Sequence, residues 1–350
     1  MSRLAGESTV EAPESAAPDR RRRQLGTTEL VWIALAVVTL VGVVLTARAG
    51  ENFFSMGNIA AVLTLTSTLG FVAIGQTLVI LGGSLDLSVP YVISLSSLVA
   101  GGIMAGEPAN IVPGVLAALG VSALIGLANG LIVTRLAVHG FIASLGVGLI
   151  VSGYLASNYQ GSYGSAPKAF QLVGITLIGP VPVSTLIMLG CAAFGILVLA
   201  RTRLGHRLYA VGGGREISRM SGVRTDPPLV VAHVMCSVLA GLAGLLLLSR
   251  TSVGSPTIGS QGSYDLMSIA AVVLGGTLLA GGRGSIVGTL GGVAIFAVLD
   301  NVMSVMEINS FLRDVVRGTV IVVAVAVYAR RAIPRRPTRF SDTEARAEAS

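Results

Sequence analysis

The chain has 350 residues, of which 53% are hydrophobic and only 12% are charged, and its mean hydropathy is +0.81. Soluble domains carry about 25% charged residues, so this composition excludes an ordinary soluble globular protein and predicts an all-α, polytopic integral membrane protein. The net charge of +7 is concentrated beside the apolar segments, in Arg20–Arg23 before the first and in arginines from Arg330 to Arg339 after the last. Such clusters mark cytoplasmic ends and favour anionic lipid headgroups, which argues against nucleic acid as a partner.

The amino terminus contains features of a signal peptide. Residues 1–24 are polar and predict a disordered cytoplasmic tail. The arginine cluster, the apolar run Leu30–Leu45 and the small residues around Ala49 imitate a cleavage signal. The apolar run is long for a signal peptide and many further runs follow, so we predict an uncleaved first membrane helix.

Ten segments approach the roughly 20 apolar residues that a bilayer span requires. The predicted spans are 30–47, 59–81, 89–106, 109–133, 141–157, 183–200, 229–248, 265–281, 285–304 and 312–329. They form a transmembrane domain of residues 25–332, followed by a second disordered cytoplasmic tail at 333–350. An even number of spans puts both termini on one side, and the excess of arginine in the loops of that side identifies it as cytoplasmic.

Cysteine and histidine chemistry is not indicated. Cys191 and Cys236 lie in apolar runs without a CxxC pattern, which predicts free, buried thiols. His139, His206 and His233 are far apart in the sequence. No metal site is therefore predicted.

Two segments resemble each other locally. The sequence VILGGSLDLSVP from Val79 and the sequence VVLGGTLLAGGRGSIVG from Val272 share a Gly-Gly pair. Many transporters are built from duplicated halves, but glycine-driven packing explains so short a match equally well. The glycines of the second segment predict a tight turn around Arg283 with close helix packing, and they lack the βαβ setting of a phosphate-binding loop.

An aspartate lies within the apolar stretch around the first of these glycine pairs. Gly82-Gly83 allows another backbone to approach closely or a helix to break. An ionised Asp86 that faced lipid would cost about 2.5–3.5 kcal/mol or more, so it should face protein, water or the interface. Two interpretations stay open: Asp86 and Ser88 cap a helix that begins near Val89, or they lie with Gln76 along a solute pathway.

The longest cytoplasmic loop, residues 201–228, is rich in arginine and glycine. Within it the spacing predicts a short helix from Arg215 to Gly222, with Ile217 and Met220 on one face and basic residues on another. Gly222 is a natural helix stop. The loop is either a solvated basic segment that fixes the topology or an amphipathic helix that contacts a cytoplasmic partner.

Further polar residues near the spans are candidates for function or for helix ends. They are Asn129, Gln261, Tyr264, Asp265, Asp300 and Asn301. At the outer start of the last span, we predict a local ion pair between Asp314 and Arg317, which are three residues apart.

The chain resembles the permease subunits of ATP-binding cassette importers, in the group that serves ribose-like sugars and branched-chain amino acids. The sugar branch is the closer match, especially at Gly-Gly-x-x-Asp-Leu-Ser-Val. The segments that carry the resemblance, between about residues 50 and 330, are NFFSMGN at Asn52–Asn58, IGQTLVILGGSLDLSV at Ile74–Val89, GFIASLG at Gly140–Gly146, RTRLGHRLYAVGGGREISRMSGV at Arg201–Val223, DLMSIAAVVLGGTLLAGGRGSIVGTLGG at Asp265–Gly292, and Gly318. The chain departs from the pattern at Pro90, Gly140 and Gly214, where the sugar permeases usually have glycine, proline and asparagine.

The resemblance implies that this subunit moves a monosaccharide into the cytoplasm across the bacterial inner membrane. It implies a coupling helix within 201–228, and it implies as partners a second permease subunit, most simply in a homodimer, two ATPase subunits and a periplasmic solute-binding protein. Two sets of residues are predicted to matter. The ATPase-coupling set is Gly205, Arg215, Glu216, Arg219, Met220 and Gly222, and the pathway or gate set is Gln76, Gly82, Gly83, Asp86 and Ser88.

No cofactor is expected in this chain, which carries no G-x-x-x-x-G-K-[ST] motif and whose single lysine, Lys168, lies elsewhere. ATP is therefore expected on the partner ATPase. The protein is not expected to be an enzyme, since a membrane enzyme would need clustered acidic or metal-binding residues at one interface. A branched-chain amino acid permease and an ion-coupled secondary transporter stay as alternatives.

Overall fold

A computed structural model describes residues 26–332, with side chains as far as residue 323. The predicted tails, residues 1–24 and 333–350, lie outside the described residues. Fourteen α-helices occur in the described part. In chain order they are α1 (Thr27–Arg48), α2 (Met56–Leu81), α3 (Val89–Met104), α4 (Ile111–Arg135), α5 (Gly140–Asn158), α6 (Lys168–Ile175), α7 (Val183–Arg201), α8 (Arg203–Gly213), α9 (Arg215–Met220), α10 (Asp226–Thr251), α11 (Ile258–Gln261), α12 (Tyr264–Leu274), α13 (Ile286–Val305) and α14 (Ser310–Ala332).

The remaining regular structure is small. A short 3-10 helix, Pro108–Asn110, precedes α4. Strands β1 (Leu177–Ile178) and β2 (Val181–Pro182) form a two-residue antiparallel hairpin between α6 and α7. The all-α prediction is confirmed.

A helix lies in each of the ten predicted spans, but the helices are not equally long. Seven of those in the described part are long and apolar enough to cross a bilayer, namely α1, α2, α4, α5, α7, α10 and α13. Helix α3 has 16 residues and α12 has 11, which correspond to about 24 Å and 17 Å against a hydrocarbon core of about 30 Å. The predicted span 265–281 was therefore wrong in its second half, because the helix ends at Leu274 and an irregular turn follows.

Helices α2 and α10 form the centre of the bundle. Each has 26 residues, and they pack against each other. Helix α2 ends beside α8, whereas α10 begins just after α9, so the two central helices run in opposite directions. Helix α2 is followed by an irregular segment and by the short helix α3, which packs on α10. Helix α10 is followed by α11 and by the short helix α12, which packs on α2.

The local resemblance between the segments at Val79 and Val272 has a different origin. At the end of α2, the amide of Gly83 donates to Ile80 and that of Ser84 donates to Val79. The end of α12 has the same two bonds, from Gly276 to Val273 and from Thr277 to Val272. Gly83 and Gly276 have φ angles of +78° and +88°, so both Gly-Gly pairs end a helix by the same Schellman motif.

Between α2 and α3 the chain runs extended through the interior. A Cβ atom added to Gly140 of α5 would meet Ser84, and one added to Gly148 would lie 3.2 Å from the Cα of Ser88. Because eight helical residues rise about 12 Å, the segment Ser84–Ser88 climbs that distance along α5, and α3 begins well inside the bundle. Ser144 supports this irregular backbone, since its hydroxyl accepts from the amide of Leu87 at 2.9 Å and lies 3.2 Å from the carbonyl of Leu85.

Candidate functional site

The buried carboxylate of Asp86 is the centre of a polar cluster inside the bundle. Its side chain is fully buried, and one oxygen accepts from the amide of Ser88 at 3.0 Å and from the Ser88 hydroxyl at 2.6 Å. Asn129 of α4 donates from Nδ2 to the Ser88 hydroxyl at 2.8 Å and lies 3.4 and 3.5 Å from the two carboxylate oxygens. The cluster therefore joins the extended segment to α4.

The same carboxylate faces a histidine of the central helix α10. Nδ1 of His233 lies 3.5 Å from Oδ2 of Asp86, and its Nε2 lies 3.0 Å from the hydroxyl of Ser84. Both ionisable side chains are completely buried, and no lysine or arginine with a described side chain approaches Asp86 within ion-pair distance. A proton on the imidazole would balance the charge of the carboxylate, as would a proton on the carboxyl group itself, and either one avoids the high cost of an isolated buried charge.

The geometry around Ser88 bears on the interpretation that Asp86 and Ser88 cap α3. Ser88 occupies the N-cap position of α3, but its hydroxyl donates to Asp86 and makes no bond to an amide of the helix. The capping expectation was thus wrong for the Ser88 side chain, because its oxygen accepts from Nδ2 of Asn129 at 2.8 Å and not from an amide of α3. Asp86 instead fixes the turn that begins α3 through its bond to the Ser88 amide.

Gln76 is buried elsewhere on the central helices. Its Oε1 accepts from the thiol of Cys236 on α10 at 3.5 Å, and its Nε2 has no hydrogen-bond partner in the part of the chain that the structure describes. Gln76, Asp86 and Ser88 are all fully buried in this conformation. Their role in a solute pathway stays a prediction.

The sequence did not single out His233. It was one of three histidines that are far apart in the sequence. Its partner, Asp86, lies 147 positions away, and no local sequence pattern reveals such a distant contact. One signal was present, since an ionisable residue within an apolar span is a functional candidate in its own right. Asn129 was a candidate on that ground.

Three glycine pairs from distant parts of the chain meet at one end of the bundle, and we term them the glycine junction. They are Gly82-Gly83, Gly212-Gly213 and Gly281-Gly282. The amide of Gly282 donates to the carbonyl of Leu81 at 3.0 Å. A Cβ atom added to Gly212 would overlap that carbonyl and the Gly282 amide, and one added to Gly281 would lie 2.9 Å from the Cα atoms of Gly83 and Gly212. The contact is between backbones, and side chains at Gly212 or Gly281 would prevent it.

The glycine junction joins the ends of three elements. It connects the start of the extended segment after α2, the end of α8, and the turn between α12 and α13. Leu208 of α8 packs into the core beside Gly82, and the hydroxyl of Tyr209 donates to the carbonyl of Gly284 at 2.9 Å. The close backbone approach expected at Gly82-Gly83 is observed, whereas its two partners were not foreseen.

The predicted loop 201–228 is mostly helical. Helix α8, which the sequence analysis missed, lies against the core through buried Gly205, Leu208 and Val211. The hydroxyl of Ser218 on α9 donates to the carbonyl of Ala210 on α8 at 2.7 Å. The two short helices are therefore linked to each other and, through Gly212 and Gly213, to the glycine junction.

Helix α9 has the two faces that its spacing predicted. Arg215 and Arg219 turn to Asp226 at the start of α10, with nitrogen–oxygen distances of 3.0 and 3.7 Å. Ile217 and Met220 point away from the protein and are 71% and 81% exposed. Beside them a cleft of about 570 Å³ is lined by residues that include Glu216 and Met220. Helix α9 thus exposes two apolar side chains, while its two arginines form ion pairs with the start of α10.

Gly222 ends α9 by a Schellman motif. Its amide donates to Arg219, and the amide of Val223 donates to Ser218. Its φ angle is +79°, in the left-handed region that favours glycine. The predicted helix stop is confirmed.

The predicted pair of Asp314 and Arg317 is also present, at 3.1 Å. Arg317 makes a shorter contact of 2.8 Å with Asp300 of α13, which links α14 to the helix before it. Tyr264 and Asp265 begin α12.

The chain matches the family model described as branched-chain amino acid transport system, permease component, over residues 58–325. It is 37% identical over 300 residues to the ribose import permease protein RbsC of Escherichia coli (strain K12), covering 84% of this chain and 91% of that relative. It is 37% identical over 293 residues to RbsC of Bacillus subtilis (strain 168), covering 81% and 88%. It is also 30% identical over 321 residues to the galactose/methyl galactoside import permease protein MglC of Escherichia coli (strain K12), covering 84% and 94%.

No solved structure matches the chain. The family match nevertheless extends from the start of α2 into α14, and therefore includes the polar cluster, the glycine junction and the α8–α9 pair. The protein is accordingly a multi-pass membrane transport component and not an enzyme, and it belongs to the permease family of branched-chain amino acid transport systems.

Proposed function

We propose that the chain is the membrane-spanning subunit of an ATP-binding cassette importer that carries a monosaccharide into the cytoplasm. The observation that carries this proposal is the similarity, over more than four-fifths of the chain, to relatives whose names describe ribose and galactose import permeases. A pentose or hexose is therefore the proposed solute.

The α8–α9 pair is the proposed contact with a separate ATPase. The exposed Ile217 and Met220 form an apolar knob that fits a cleft on a protein partner. The ion pairs from Arg215 and Arg219 to Asp226 connect the helix that carries this knob to the start of α10. This assignment makes the α8–α9 end cytoplasmic, with both termini on the same side.

A displacement of α9 can be transmitted to the membrane interior through a small number of contacts. Ser218 ties α9 to α8, and the glycine junction ties α8 to the segment after α2. That segment carries Asp86 and leads into α3, while the turn at Gly282 leads into α13. A displacement of α8 by the ATPase would therefore act on α3 and α13 together, and we propose that this opens and closes the solute pathway.

The proposed assembly contains two permease subunits, two ATPase subunits and an extracytoplasmic solute-binding protein, in the bacterial inner membrane. The solute-binding protein would deliver the sugar to the end of the bundle opposite α8. ATP would bind to the partner, since the sequence of this chain has no P-loop.

Affinity purification from the native membrane tests the contact with the ATPase. The parent chain should retain a P-loop ATPase that is identified by mass spectrometry, and the double variant Ile217→Glu, Met220→Glu should lose it. Ile178→Glu, at an exposed apolar site on the β-hairpin, is the control and should behave like the parent. If no ATPase accompanies the parent under conditions that preserve membrane complexes, ion-coupled transport becomes the better hypothesis.

Uptake measurements test the solute class. A strain without the gene should lose accumulation of at least one of labelled ribose, xylose, galactose or fructose, and the chain should restore it. Leucine uptake is the control and should not change. Loss of leucine uptake with all four sugars unaffected would assign the protein to amino acid transport.

A further inference from the structure

An apolar fissure separates α7 from α10. The two helices have almost no direct contact, and α2 forms the floor between them. The fissure has a volume of about 240 Å³ and is lined by Ile74, Leu78, Cys191, Phe194 and Val238, among other apolar residues. Leu242 also lines a second apolar cavity of about 150 Å³.

The position of this fissure restricts what can occupy it. Both walls are helices long and apolar enough to span the bilayer, so the opening faces the hydrocarbon region. Its lining offers no buried charge and almost no polar group to orient a sugar or a nucleotide. Binding sites for polar ligands need such groups, whereas an acyl chain needs none.

A cluster of arginines lies beneath the fissure. Arg201 ends α7, and Arg203 and Arg207 are one turn apart on α8. Leu204 and Leu208, on the same helix, pack into the core with Leu78 from the floor, so α8 crosses directly below. No aspartate or glutamate with a described side chain lies within 4 Å of these three arginines.

The orientation of α8 turns the arginines toward the opening. At 100° per residue, Arg203 and Arg207 lie on the flank roughly opposite Tyr209. Tyr209 is fixed to Gly284, in the turn before α13. Helix α10 also contacts α8, so the arginine flank opposite Tyr209 lies on the side of α10 and of the fissure.

We propose that this place is a binding site for an anionic phospholipid, with one acyl chain in the fissure and the phosphate on Arg201, Arg203 and Arg207. The distances agree with this occupant. Along α7, Gly195 and Cys191 lie about 9 and 15 Å from Arg201, and one leaflet of hydrocarbon is about 15 Å deep. Basic pockets between membrane helices on the cytoplasmic side are the usual sites for anionic headgroups.

A bound lipid would also affect the helices that take part in the proposed transport motion. It contacts α7, α8 and α10, and α8 leads directly into the glycine junction. A bound lipid would therefore hold α8 against the membrane-facing side of the bundle. The site does not depend on which solute is carried or on how the transport is driven.

Native mass spectrometry of the purified, delipidated chain tests the proposal by titration with two lipids of identical acyl chains, palmitoyl-oleoyl phosphatidylglycerol and palmitoyl-oleoyl phosphatidylcholine. The parent should prefer phosphatidylglycerol. The double variant Arg203→Gln, Arg207→Gln should weaken phosphatidylglycerol binding by about thirty-fold, the effect of two arginine–headgroup attractions of ordinary strength. The double variant Arg224→Gln, Arg283→Gln removes the same charge from exposed positions away from the fissure and should bind like the parent.

A second pair of variants tests the acyl chain. Val238→Phe fills the fissure and should weaken both lipids, whereas Val231→Phe, on the exposed face of the same helix, should weaken neither. Equal binding of the two lipids by the parent would overturn the proposal, as would equal effects of the two arginine pairs or full binding by Val238→Phe. Loss of the ATPase with unchanged lipid binding in the Arg203, Arg207 variant would assign these arginines to the protein partner instead.

Discussion

At the scale of single residues, Asp86 and His233 face each other in a fully buried place. Of the described side chains that can carry a positive charge, only this imidazole lies within ion-pair distance of the carboxylate. The carboxylate also accepts hydrogen bonds from Ser88, which lowers the cost of removing it from water. The two partners should therefore behave as one unit when they are mutated.

Asp86→Asn and His233→Gln should each destabilise the protein, since each leaves an unmatched group in the interior. Breaking a buried pair costs about 3–5 kcal/mol, whereas replacing both charged groups by neutral ones costs much less. We expect the double variant to be more stable than at least the His233→Gln single variant. Thermal unfolding of the detergent-solubilised chain, followed by size-exclusion chromatography, measures this. Strictly additive losses would show that the two side chains are independent.

Gly222 offers a test of backbone conformation alone. No atom lies within 4 Å of a Cβ added there, yet its φ is positive. Gly222→Ala should therefore weaken the end of α9 by about 1–2 kcal/mol through strain, and Gly222→Asn should weaken it less, because asparagine tolerates this conformation better. Hydrogen exchange of the amides in 215–223 measures the fraying. Faster exchange in the asparagine variant than in the alanine variant would contradict this explanation.

At the scale of elements, the glycine junction holds α8 to the ends of two other segments through backbone contacts. Gly212 and Gly213 are neighbours with opposite surroundings. A Cβ at Gly212 overlaps the carbonyl of Leu81, and one at Gly213 meets nothing within 4 Å. This difference provides a matched pair of substitutions.

Gly212→Ala should displace α8 from the end of α2 and abolish transport, while Gly213→Ala should leave it nearly unchanged. Because α9 and its ion pairs to Asp226 are not touched directly, the Gly212 variant should still bind the proposed ATPase. Uptake of the transported sugar and retention of the ATPase in affinity purification are measured on the same membranes. Normal uptake by Gly212→Ala would remove the glycine junction from the mechanism.

The attachment of α14 gives a second comparison between elements. Arg317 contacts Asp300 on α13, which is mostly shielded, and Asp314 on its own helix, which is 72% exposed. Asp300→Asn should cost about 1.5–3 kcal/mol, as for a hydrogen bond to a charged group. Asp314→Asn should cost less than about 1 kcal/mol, as for a surface pair. Melting temperatures of the two variants decide between these contributions, and equal values would show that burial does not distinguish them.

At the scale of the whole molecule, hydropathy predicts where helices lie because it reports the environment of each segment. The ten predicted spans accordingly coincide with helices, and the spacing of Ile217 and Met220 gave the faces of α9. Hydropathy cannot tell how far into the bilayer an apolar segment stays helical. The span 265–281 was too long for that reason, since residues 275–281 are apolar and glycine-rich but irregular.

Contacts between distant segments could not be predicted from the sequence, for a different reason. A single glycine pair predicts close approach, but nothing in it names the partner backbone. Gly82, Gly212 and Gly281 meet only through the packing of the helices in the folded bundle. His233 reaches Asp86 through the same arrangement, and the missed helix α8 was too short and too basic to stand out.

The glycine junction also bears on how such a protein can change during evolution. Its contacts use atoms that every residue has, so the outer surface of α8 and the whole of α9 can accept new side chains without disturbing them. A relative's residues 203–220, transplanted with Gly212 and Gly213 in place, should therefore dock on this bundle and bring their own choice of ATPase. The same glycines that forbid substitution at one point thus permit partner exchange a few residues away.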